Sequence, residues 1–229
     1  MPDLIPDLMP EYKPKYKLVI FDWDGTLMDS VARIVSAMQA AAHHCQLEMP
    51  TAMQVKEIIG LSLPIALDIL FPHSSQSQLT AMLSQYKYQY VEGDNPPAPL
   101  FDNALSLLTA LKDNNTLLAV ATGKGRQGLQ RVFCESQTEH FFHASRCADE
   151  ARSKPDPQMV LSLLTELNIL PEQAVMIGDT SYDMQMAQAA GVDRIGITLG
   201  VHDREVLNRY QPKAIVDSLA ELQQLLLPA

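Results

Sequence analysis

The chain lacks any long hydrophobic run, although 47% of its 229 residues are apolar. A membrane-spanning helix needs about 18 or more consecutive apolar residues, so we expect a soluble globular protein without a membrane partner. Residues 1–17 contain prolines at every fourth position and no apolar core, which predicts a loosely ordered arm rather than a signal peptide. The remaining length is sufficient for one large domain or two modest domains.

Positive charge and cysteine are also scarce. The net charge is −10 at pH 7, which argues against a general nucleic-acid binder, because such a protein needs a basic surface. An acidic protein must attract an anionic substrate locally, through a metal ion and a few lysine or arginine side chains. The three cysteines are widely spaced and show no zinc-site spacing, which predicts reduced thiols and a cytoplasmic location.

Two aspartates directly follow the first apolar run of the chain. The run Leu18–Phe21 leads into Asp22 and Asp24, which are separated by one residue. Alternate residues of a strand share a face, so the two carboxylates are expected side by side. Carboxylates this close raise each other's pKa unless a cation or a proton lies between them. Such a pair binds a metal ion, divides nucleophile and acid roles, or does both, and Gly25 allows the chain to turn away at once.

Three further apolar runs also end in polar side chains. They lie at residues 117–121, 174–177 and 194–197. Thr122 follows the first of these runs, and Asp179 lies just after the second. Near-continuous apolar runs indicate strands that are buried on both faces, as in a parallel sheet.

Helical patterns alternate with these strands. They occupy residues 126–135, 156–167 and 181–190, and a last one opens at residue 218. Asp156 is the expected N-cap of the second helix in this group. The alternation predicts a doubly wound, mostly parallel α/β sheet, in which ligands bind beyond the carboxyl ends of the strands.

About 70 residues between the first two strands interrupt the alternation. From Ser30 to Pro99 the pattern is helical, and this stretch is too long for a loop in a compact domain. We therefore predict an inserted helical cap domain at residues 30–98, with Ser30 as its first N-cap. The α/β core is expected at residues 17–29 and 99–229, and the N-terminal arm at residues 1–16.

The motif residues resemble those of one known enzyme family. Asp22–Ser30 is similar to the first motif of the haloacid dehalogenase superfamily in its phosphatase form, and Thr122 resembles the second motif. Lys154 resembles the third motif, and Gly178–Asp183 the fourth. The resemblance follows the family's order, and the helical insertion has the family's position. That position is similar to the phosphoglycolate phosphatase-like subgroup.

This resemblance implies a phosphatase in which four residues carry the chemistry. Asp22 is the expected nucleophile, which its place at the end of a rigid strand also favours, and it forms an aspartyl-phosphate. Asp24 is the expected general acid for the leaving oxygen and later the base for water, a role that needs a carboxyl kept protonated by the neighbouring charge. Thr122 and Lys154 are expected to bind phosphoryl oxygens.

Mg²⁺ is the expected cofactor, because a phosphoryl dianion cannot approach paired carboxylates without a cation and Mg²⁺ prefers oxygen ligands. The expected ligands are the carboxylates of Asp22, Asp179 and Asp183, the last directly or through water, and the backbone carbonyl of Asp24. Gly123 and Lys124 are the expected substrate-binding residues. The Gly123 N–H can complete the phosphate cradle, whereas the sequence leaves Lys124 open between a phosphate contact and a solvated side chain.

A small phosphorylated metabolite is the expected substrate, since a helical cap of this size excludes bulky phosphoproteins. Phosphoglycolate is the first candidate, followed by other sugar or organic-acid phosphates, nucleoside monophosphates and pyrophosphate. A phosphosugar mutase is disfavoured, because the cap turn lacks a basic pair, and a dehalogenase would not need Asp24. A phospho-receiver or a non-catalytic binding protein is the alternative from a different class. The sequence leaves open whether the protein is a monomer or a homodimer.

Overall fold

A computed structural model describes residues 15–227, and its centre is a sheet of parallel strands. The strands are β1 (Leu18–Phe21), β2 (Leu117–Ala121), β3 (Ala144–Arg146), β4 (Ala174–Gly178), β5 (Asp193–Ile197) and β6 (Ala214–Val216). They lie in the order β3-β2-β1-β4-β5-β6, and every pairing is parallel. The predicted doubly wound α/β fold is confirmed. The strand order reverses between β1 and β4, which is where such sheets bind ligands.

The α-helices connect and cover these strands. They are α1 (Val31–His44), α2 (Ala52–Glu57), α3 (Leu63–Leu70), α4 (Gln76–Glu92), α5 (Ala104–Asp113), α6 (Arg126–Ser136), α7 (Gln158–Leu167), α8 (Ser181–Ala189), α9 (Arg204–Asn208) and α10 (Leu219–Leu226). Within residues 15–227, none of them is both long and apolar enough to cross a membrane.

Strand β1 is buried on both faces, which explains its unbroken apolar sequence. Val19 and Phe21 pack into one hydrophobic cluster, together with residues of α5 and α10. Leu18 and Ile20 pack into a second cluster on the opposite face, together with residues of α7 and α8. All four side chains are at most 1% exposed, so this strand is a rigid support for whatever follows it.

The sequence predicted four strands but missed β3 and β6. Each of these strands has three residues and lies at one edge of the sheet. Ser145 and Arg146 make up most of β3, and its side chains are only partly buried. Strand β3 therefore has no continuous apolar run, and β6, although it consists of Ala214, Ile215 and Val216, is too short for its apolar run to stand out from those of the helices.

Helices α1–α4, which we call the helical insertion, lie between β1 and β2 and form an apolar core of their own. Helix α1 packs against α4. Met38, Val55, Leu67 and Met82 are buried in this core. Partly buried Tyr182, from the α/β part of the chain, packs against the same cluster, so the insertion lies against the sheet domain.

Two predicted helix caps differ from the structure. Ser30 precedes α1, but its hydroxyl does not cap the helix and instead donates to Asp24 Oδ1 at 2.7 Å. Helix α7 begins at Gln158 after Pro157, so Asp156 lies one residue before the N-cap position. Asp156 nevertheless accepts the Gln158 N–H at 2.9 Å. The position of the Ser30 hydroxyl matters for the site, because the hydroxyl donates its hydrogen bond to an acidic side chain and not to the helix backbone.

The predicted N-terminal arm extends over residues 1–16, of which residues 1–14 lie outside the described part of the chain. Tyr16 does not fit the expected arm, since it is buried and its hydroxyl donates to Asp193 Oδ2 at 2.9 Å. The Lys17 N–H donates to the Gln173 carbonyl at 2.8 Å. Tyr16 therefore belongs to the α/β core.

The insertion's own core yields a stability test. Met82 is fully buried, whereas Met53 is 75% exposed. We expect Met82→Ala to lower the free energy of unfolding by about 2–5 kcal/mol, because it leaves a cavity, and Met53→Ala to change it by about 0.5 kcal/mol or less. Urea unfolding followed by circular dichroism measures both values. Equal losses in the two variants would contradict the packing described.

Candidate active site

The carboxyl ends of three central strands bring polar side chains to one edge of the sheet. Asp22 follows β1, Thr122 follows β2 and Asp179 follows β4. Each of these three side chains is at most 1% exposed. Polar groups of this kind are rarely buried at strand ends without partners, so their surroundings define what the site can do.

Lys154 places a positive charge between two of the aspartates. Its Nζ lies 2.7 Å from Asp22 Oδ1 and 2.6 Å from Asp183 Oδ1, and all three side chains are buried. Desolvation lowers the pKa of Lys154, but the attraction to Asp183 and Asp22 raises it more, so the net direction is upward. The ammonium therefore stays charged and links the end of β1 to the first turn of α8.

Asp22 combines a raised pKa with an unpartnered oxygen. Burial raises its pKa, the attraction to Lys154 lowers it, and repulsion from Asp183 and Asp24 raises it again, so that the net pKa is about 7 instead of 3.8. Among residues 15–227, Asp22 Oδ2 has no hydrogen-bond partner, although it is buried. An unsatisfied buried carboxylate oxygen is costly, so this atom marks a place for a ligand or a reacting group.

Asp179 is held from both sides by short-range contacts. The Thr26 hydroxyl donates to Oδ1 at 2.8 Å, and the Val201 N–H donates to Oδ2 at 2.9 Å. A Cβ on Gly25 would lie 2.4 Å from Asp179 Oδ2, and one on Gly200 would lie 2.0 Å from it. Gly25 also has a φ of +83°, which disfavours any other residue. Glycine at these two positions therefore allows the carboxylate to lie against the backbone.

Asp183 is both a helix cap and a site residue. The Thr180 N–H and hydroxyl donate to its Oδ2 at 3.0 and 2.7 Å, which forms a capping box at the start of α8. Its Oδ1 is the atom that contacts Lys154. Asp183 therefore stabilises the start of α8 with one oxygen and contributes to the site with the other.

The acidic residues fit a divalent metal ion. One carboxylate oxygen from each of Asp22, Asp179 and Asp183 lies within 4.8 Å of the others, and all three residues are buried. Burial raises the pKa of Asp179 well above 3.8, and repulsion from Asp22 and Asp183 raises it further. If all six charged side chains of the site are ionised, the formal charge is −2. Four carboxylates contribute −4, and two ammonium groups contribute +2; the residues are Asp22, Asp24, Asp179, Asp183, Lys124 and Lys154. A hard divalent cation with oxygen ligands would balance this charge.

Asp24 has different partners from the other aspartates. Its Oδ1 accepts the Ser30 hydroxyl, and its Oδ2 lies 3.0 Å from Lys124 Nζ. Desolvation lowers the pKa of Lys124, but Asp24 and Tyr90 raise it more, so the net direction is upward. Of the two alternatives that the sequence leaves open for Lys124, the structure favours a side chain that lies in the site rather than in solvent.

The loop after β2 joins the α/β core to the helical insertion. Thr122 Oγ1 accepts the Lys124 N–H at 3.1 Å, so the hydrogen of its hydroxyl remains available for another acceptor. A Cβ on Gly123 would lie 2.5 Å from the Gly60 carbonyl oxygen and 2.6 Å from that of Leu61. The absence of a side chain at Gly123 therefore lets the insertion approach the strand ends.

A cavity of about 430 Å³ opens between the insertion and the strand ends. Asp22, Asp24, Thr122, Gly123 and Lys124 line it on the core side, so the structure brings these predicted residues to one space. Lys154, Asp179 and Asp183 lie next to Asp22 but are not part of the cavity wall. The insertion contributes an apolar wall that includes Ile34, Met38, Ile58, Leu61 and Leu63.

Sequence reasoning missed several residues that surround this cavity. Tyr86, Tyr90 and Arg131 line it, and Ser30 orients Asp24. Tyr86 and Tyr90 lie on helix α4, and Arg131 lies on helix α6. No motif in the sequence of either helix distinguishes these residues from surface or packing residues.

A parallel α/β sheet carries buried carboxylates at its strand ends beneath a helical insertion, and a buried titratable cluster beside a cavity at this place is typical of an enzyme. The family described as haloacid dehalogenase-like hydrolase matches residues 19–197, and the chain belongs to that family. The expected recognition is confirmed, and the protein is a hydrolase of this family.

Individual relatives resemble the chain over most of its length. It is 34% identical over 209 residues to the probable phosphatase IndB of Dickeya dadantii, with 90% of this chain and 91% of that protein covered. It is 28% identical over 217 residues to the phosphoglycolate phosphatase of Aliivibrio fischeri, with 90% and 94% covered. The crystal structure of a predicted phosphatase from Clostridium acetobutylicum matches with a TM-score of 0.81 and 26% identity. The match covers 93% of this chain and 99% of that chain.

The acidic cluster predicts a pH-dependent stability. Because the folded state raises the pKa of Asp22 from 3.8 to about 7, it binds this proton more tightly than the unfolded state does. In EDTA, the contribution of Asp22 to stability therefore falls as the pH rises from about 4 to 7. We expect Asp22→Asn to raise the melting temperature relative to the wild type at pH 8 and to change it little at pH 4.

The same experiment tests the metal site. Protons compete with a cation for carboxylates, so 10 mM Mg²⁺, about the concentration that a weak site requires, should raise the melting temperature more at pH 8 than at pH 5. Asp22→Asn should reduce this increase, whereas Asp113→Asn, which alters an exposed aspartate, should behave as the wild type. A melting temperature at pH 8 that does not respond to Mg²⁺ would rule out the fit described.

Proposed function

We propose that the protein is a Mg²⁺-dependent phosphatase that hydrolyses a small phosphorylated metabolite through an aspartyl-phosphate on Asp22. The observation that carries this proposal is the unpartnered Oδ2 of Asp22, a buried oxygen of a residue that lines the cavity and contacts Lys154. The family membership and the relatives named as phosphatases support it.

The proposed metal ligands are the carboxylates of Asp22, Asp179 and Asp183 and the backbone carbonyl of Asp24. When bound there, Mg²⁺ would neutralise negative charge on the phosphoryl oxygens and on the carboxylates. Phosphate monoesters are among the slowest esters to hydrolyse, so a large reduction of the barrier is required.

The protein's own residues divide the reaction into two steps. A carboxylate oxygen of Asp22 attacks phosphorus, the bond to the leaving oxygen breaks, and Asp24 gives that oxygen a proton. Water then attacks the aspartyl-phosphate, and Asp24 takes the water proton. Lys154 holds Asp22 in position by its charge, and the free hydrogen of the Thr122 hydroxyl can be donated to a phosphoryl oxygen.

Substrate binding changes the charge around Asp24. Without substrate, Lys124 Nζ lies 3.0 Å from Asp24 Oδ2. A phosphoryl dianion entering the cavity competes with Asp24 for the Lys124 ammonium. The proton that Asp24 transfers to the leaving oxygen is taken from solvent, and Asp24 regains a proton when it accepts one from water in the second step.

We further propose that residues 30–98 act as a cap domain over the α/β core at residues 17–29 and 99–229. Phosphoglycolate or a similar phosphomonoester is the proposed substrate, which the relative named phosphoglycolate phosphatase supports. The free cysteines of the described residues fit a reducing compartment, so we propose a cytoplasmic location.

A metabolite panel tests the nucleophile. We expect phosphate release that EDTA abolishes and Mg²⁺ restores, and we expect Asp22→Asn to reduce it by about a thousandfold or more. Mass spectrometry of acid-quenched enzyme should detect phosphate on the peptide that contains Asp22. Asp113→Asn serves as the matched control and should retain wild-type turnover. Turnover in Asp22→Asn equal to that of the wild type would refute the proposed nucleophile.

The leaving group tests Asp24. Its proton is needed most when the leaving oxygen is strongly basic, so Asp24→Asn should slow hydrolysis of alkyl phosphates by about 100- to 10,000-fold. Hydrolysis of p-nitrophenyl phosphate should suffer much less, because its leaving group departs without a proton. Comparison of kcat/KM for the two substrates measures this difference, because kcat/KM reports the first step alone, whereas loss of Asp24 as the base of the second step lowers kcat for both substrates. An equal loss of kcat/KM would argue against a general-acid role.

A further inference from the structure

The cavity extends well beyond the atoms that would react. Its volume of about 430 Å³ lies within the range of about 300–1,000 Å³ that holds complete small-molecule ligands. A phosphoryl group next to Asp22 and Asp24 would occupy only one end of it. The rest of the cavity is therefore available to the leaving group of the substrate.

Three cationic side chains surround one aromatic ring that borders this remaining space. Lys124 and Arg131 line the cavity together with the ring, whereas Arg33 contacts the ring without being part of the cavity wall. Tyr90 lines the cavity, and its ring centroid lies 5.4 Å from Arg33 Cζ, 4.9 Å from Lys124 Nζ and 5.1 Å from Arg131 Cζ. Tyr90 is 6% exposed, yet within residues 15–227 its hydroxyl has no hydrogen-bond partner. Such a group is rarely left unsatisfied unless a ligand completes it.

One of the three cations around Tyr90 has no carboxylate partner among residues 15–227. Lys124 is paired with Asp24, and Arg131 Nε lies 3.5 Å from a carboxylate oxygen of Glu135, a side chain that is 57% exposed. Arg33 has no ion pair in the described part of the chain, and its buried Nε has no hydrogen-bond partner. Like charges around one ring repel one another in a partly desolvated space, and an anion placed among them would be bound.

We propose that Arg33, Tyr90 and Arg131 form a second anion-binding subsite, which takes a carboxylate or phosphate group on the leaving half of the substrate. The inference rests on the proposed phosphatase function and specifies its substrate class. The substrate is a phosphomonoester with a second oxyanion, and the apolar wall of the insertion, which includes Ile34 and Met38, accepts a hydrophobic body between the two anions.

The subsite also links substrate recognition to the position of the insertion. Arg33 and Tyr90 belong to helices α1 and α4 of the insertion, whereas Lys124 and Arg131 belong to the α/β core. An anion bound among them contacts both parts and removes the repulsion between their cations. A substrate with a second oxyanion therefore holds the insertion over the strand ends more firmly than one without it.

A matched pair of substrates tests the subsite. Phenyl phosphate and 4-carboxyphenyl phosphate share an apolar ring and differ in the second anion, and benzene-1,4-bisphosphate replaces the carboxylate by phosphate. We expect Arg33→Gln to raise KM by about 10- to 100-fold for the two substrates that carry a second anion, as loss of a charge-assisted hydrogen bond predicts, with little change in kcat. KM for phenyl phosphate should stay near the wild-type value. The ratio of the two increases shows whether the site prefers carboxylate or phosphate.

Further variants separate recognition from folding. Tyr90→Phe keeps the ring and should show a smaller loss with the same selectivity, and Arg33→Lys, which keeps the charge, should recover part of the affinity lost in Arg33→Gln. Arg209→Gln is the control, because Arg209 pairs with Glu205 on the surface of α9, remote from the cavity lining. An equal rise in KM for all three substrates, or no rise for any, would overturn the subsite.

Calorimetry distinguishes failure of the subsite from failure of the proposed function. In Asp22→Asn with Mg²⁺, 4-carboxyphenyl phosphate should bind, and adding Arg33→Gln should weaken binding by about the same factor of 10 to 100. If the wild type releases no phosphate but this Arg33-dependent binding is found, the phosphatase proposal fails and the subsite stands. If phosphate is released and binding does not depend on Arg33, the subsite fails alone.

Discussion

Repulsion among buried carboxylates is the constraint on which the structure of this site depends. One carboxylate oxygen from each of Asp22, Asp179 and Asp183 lies within 4.8 Å of the others, and in the described part of the chain Lys154 is the positive charge buried in contact with two of them. Buried ions that are not fully compensated cost several kcal/mol each, so the surrounding chain must hold them in place. It does so through the Thr26 hydroxyl on Asp179, the capping box on Asp183 and the rigid end of β1 beneath Asp22. The charge that remains after these contacts is what makes a divalent cation fit.

The rest of the fold follows from covering this acidic centre while leaving one side open. The sheet buries apolar residues on both faces, so its strand ends are fixed and their side chains are held in a defined geometry. The helical insertion has a separate apolar core, and the lack of a side chain at Gly123 lets its turn approach the strand ends. Water is thereby restricted to a cavity in which electrostatic interactions are stronger than at the surface. Stability is thus supplied by the two hydrophobic layers and the insertion core, while the site itself is a place where stability is lost.

The sequence predicted the parts of this arrangement that depend on local pattern. Four buried strands, the inserted helices and the acidic residues at the strand ends were all visible, because apolar runs and short motifs carry their own signal. The edge strands β3 and β6 were not, because β3 is mostly polar and the three apolar residues of β6 are too few to indicate a strand. Ser30 appeared to be an ordinary helix cap, since only the three-dimensional structure shows that Asp24 lies within reach of its hydroxyl. Lys124 and Tyr90 depend in the same way on contacts between the core and the insertion, which no single segment encodes.

Lys124 connects the two proposed halves of substrate recognition. Its ammonium contacts Asp24 on one side and lies over the Tyr90 ring on the other, so it is shared between the reacting end of the cavity and the proposed anion subsite. An anion near Tyr90 and a phosphoryl group near Asp22 both attract this ammonium away from Asp24. Binding energy from the leaving half of the substrate would then help to change the charge state of the residue proposed to protonate the leaving oxygen. Interactions remote from the reacting bond would in this way act on the chemical step and not on affinity alone, which is how binding energy becomes catalysis.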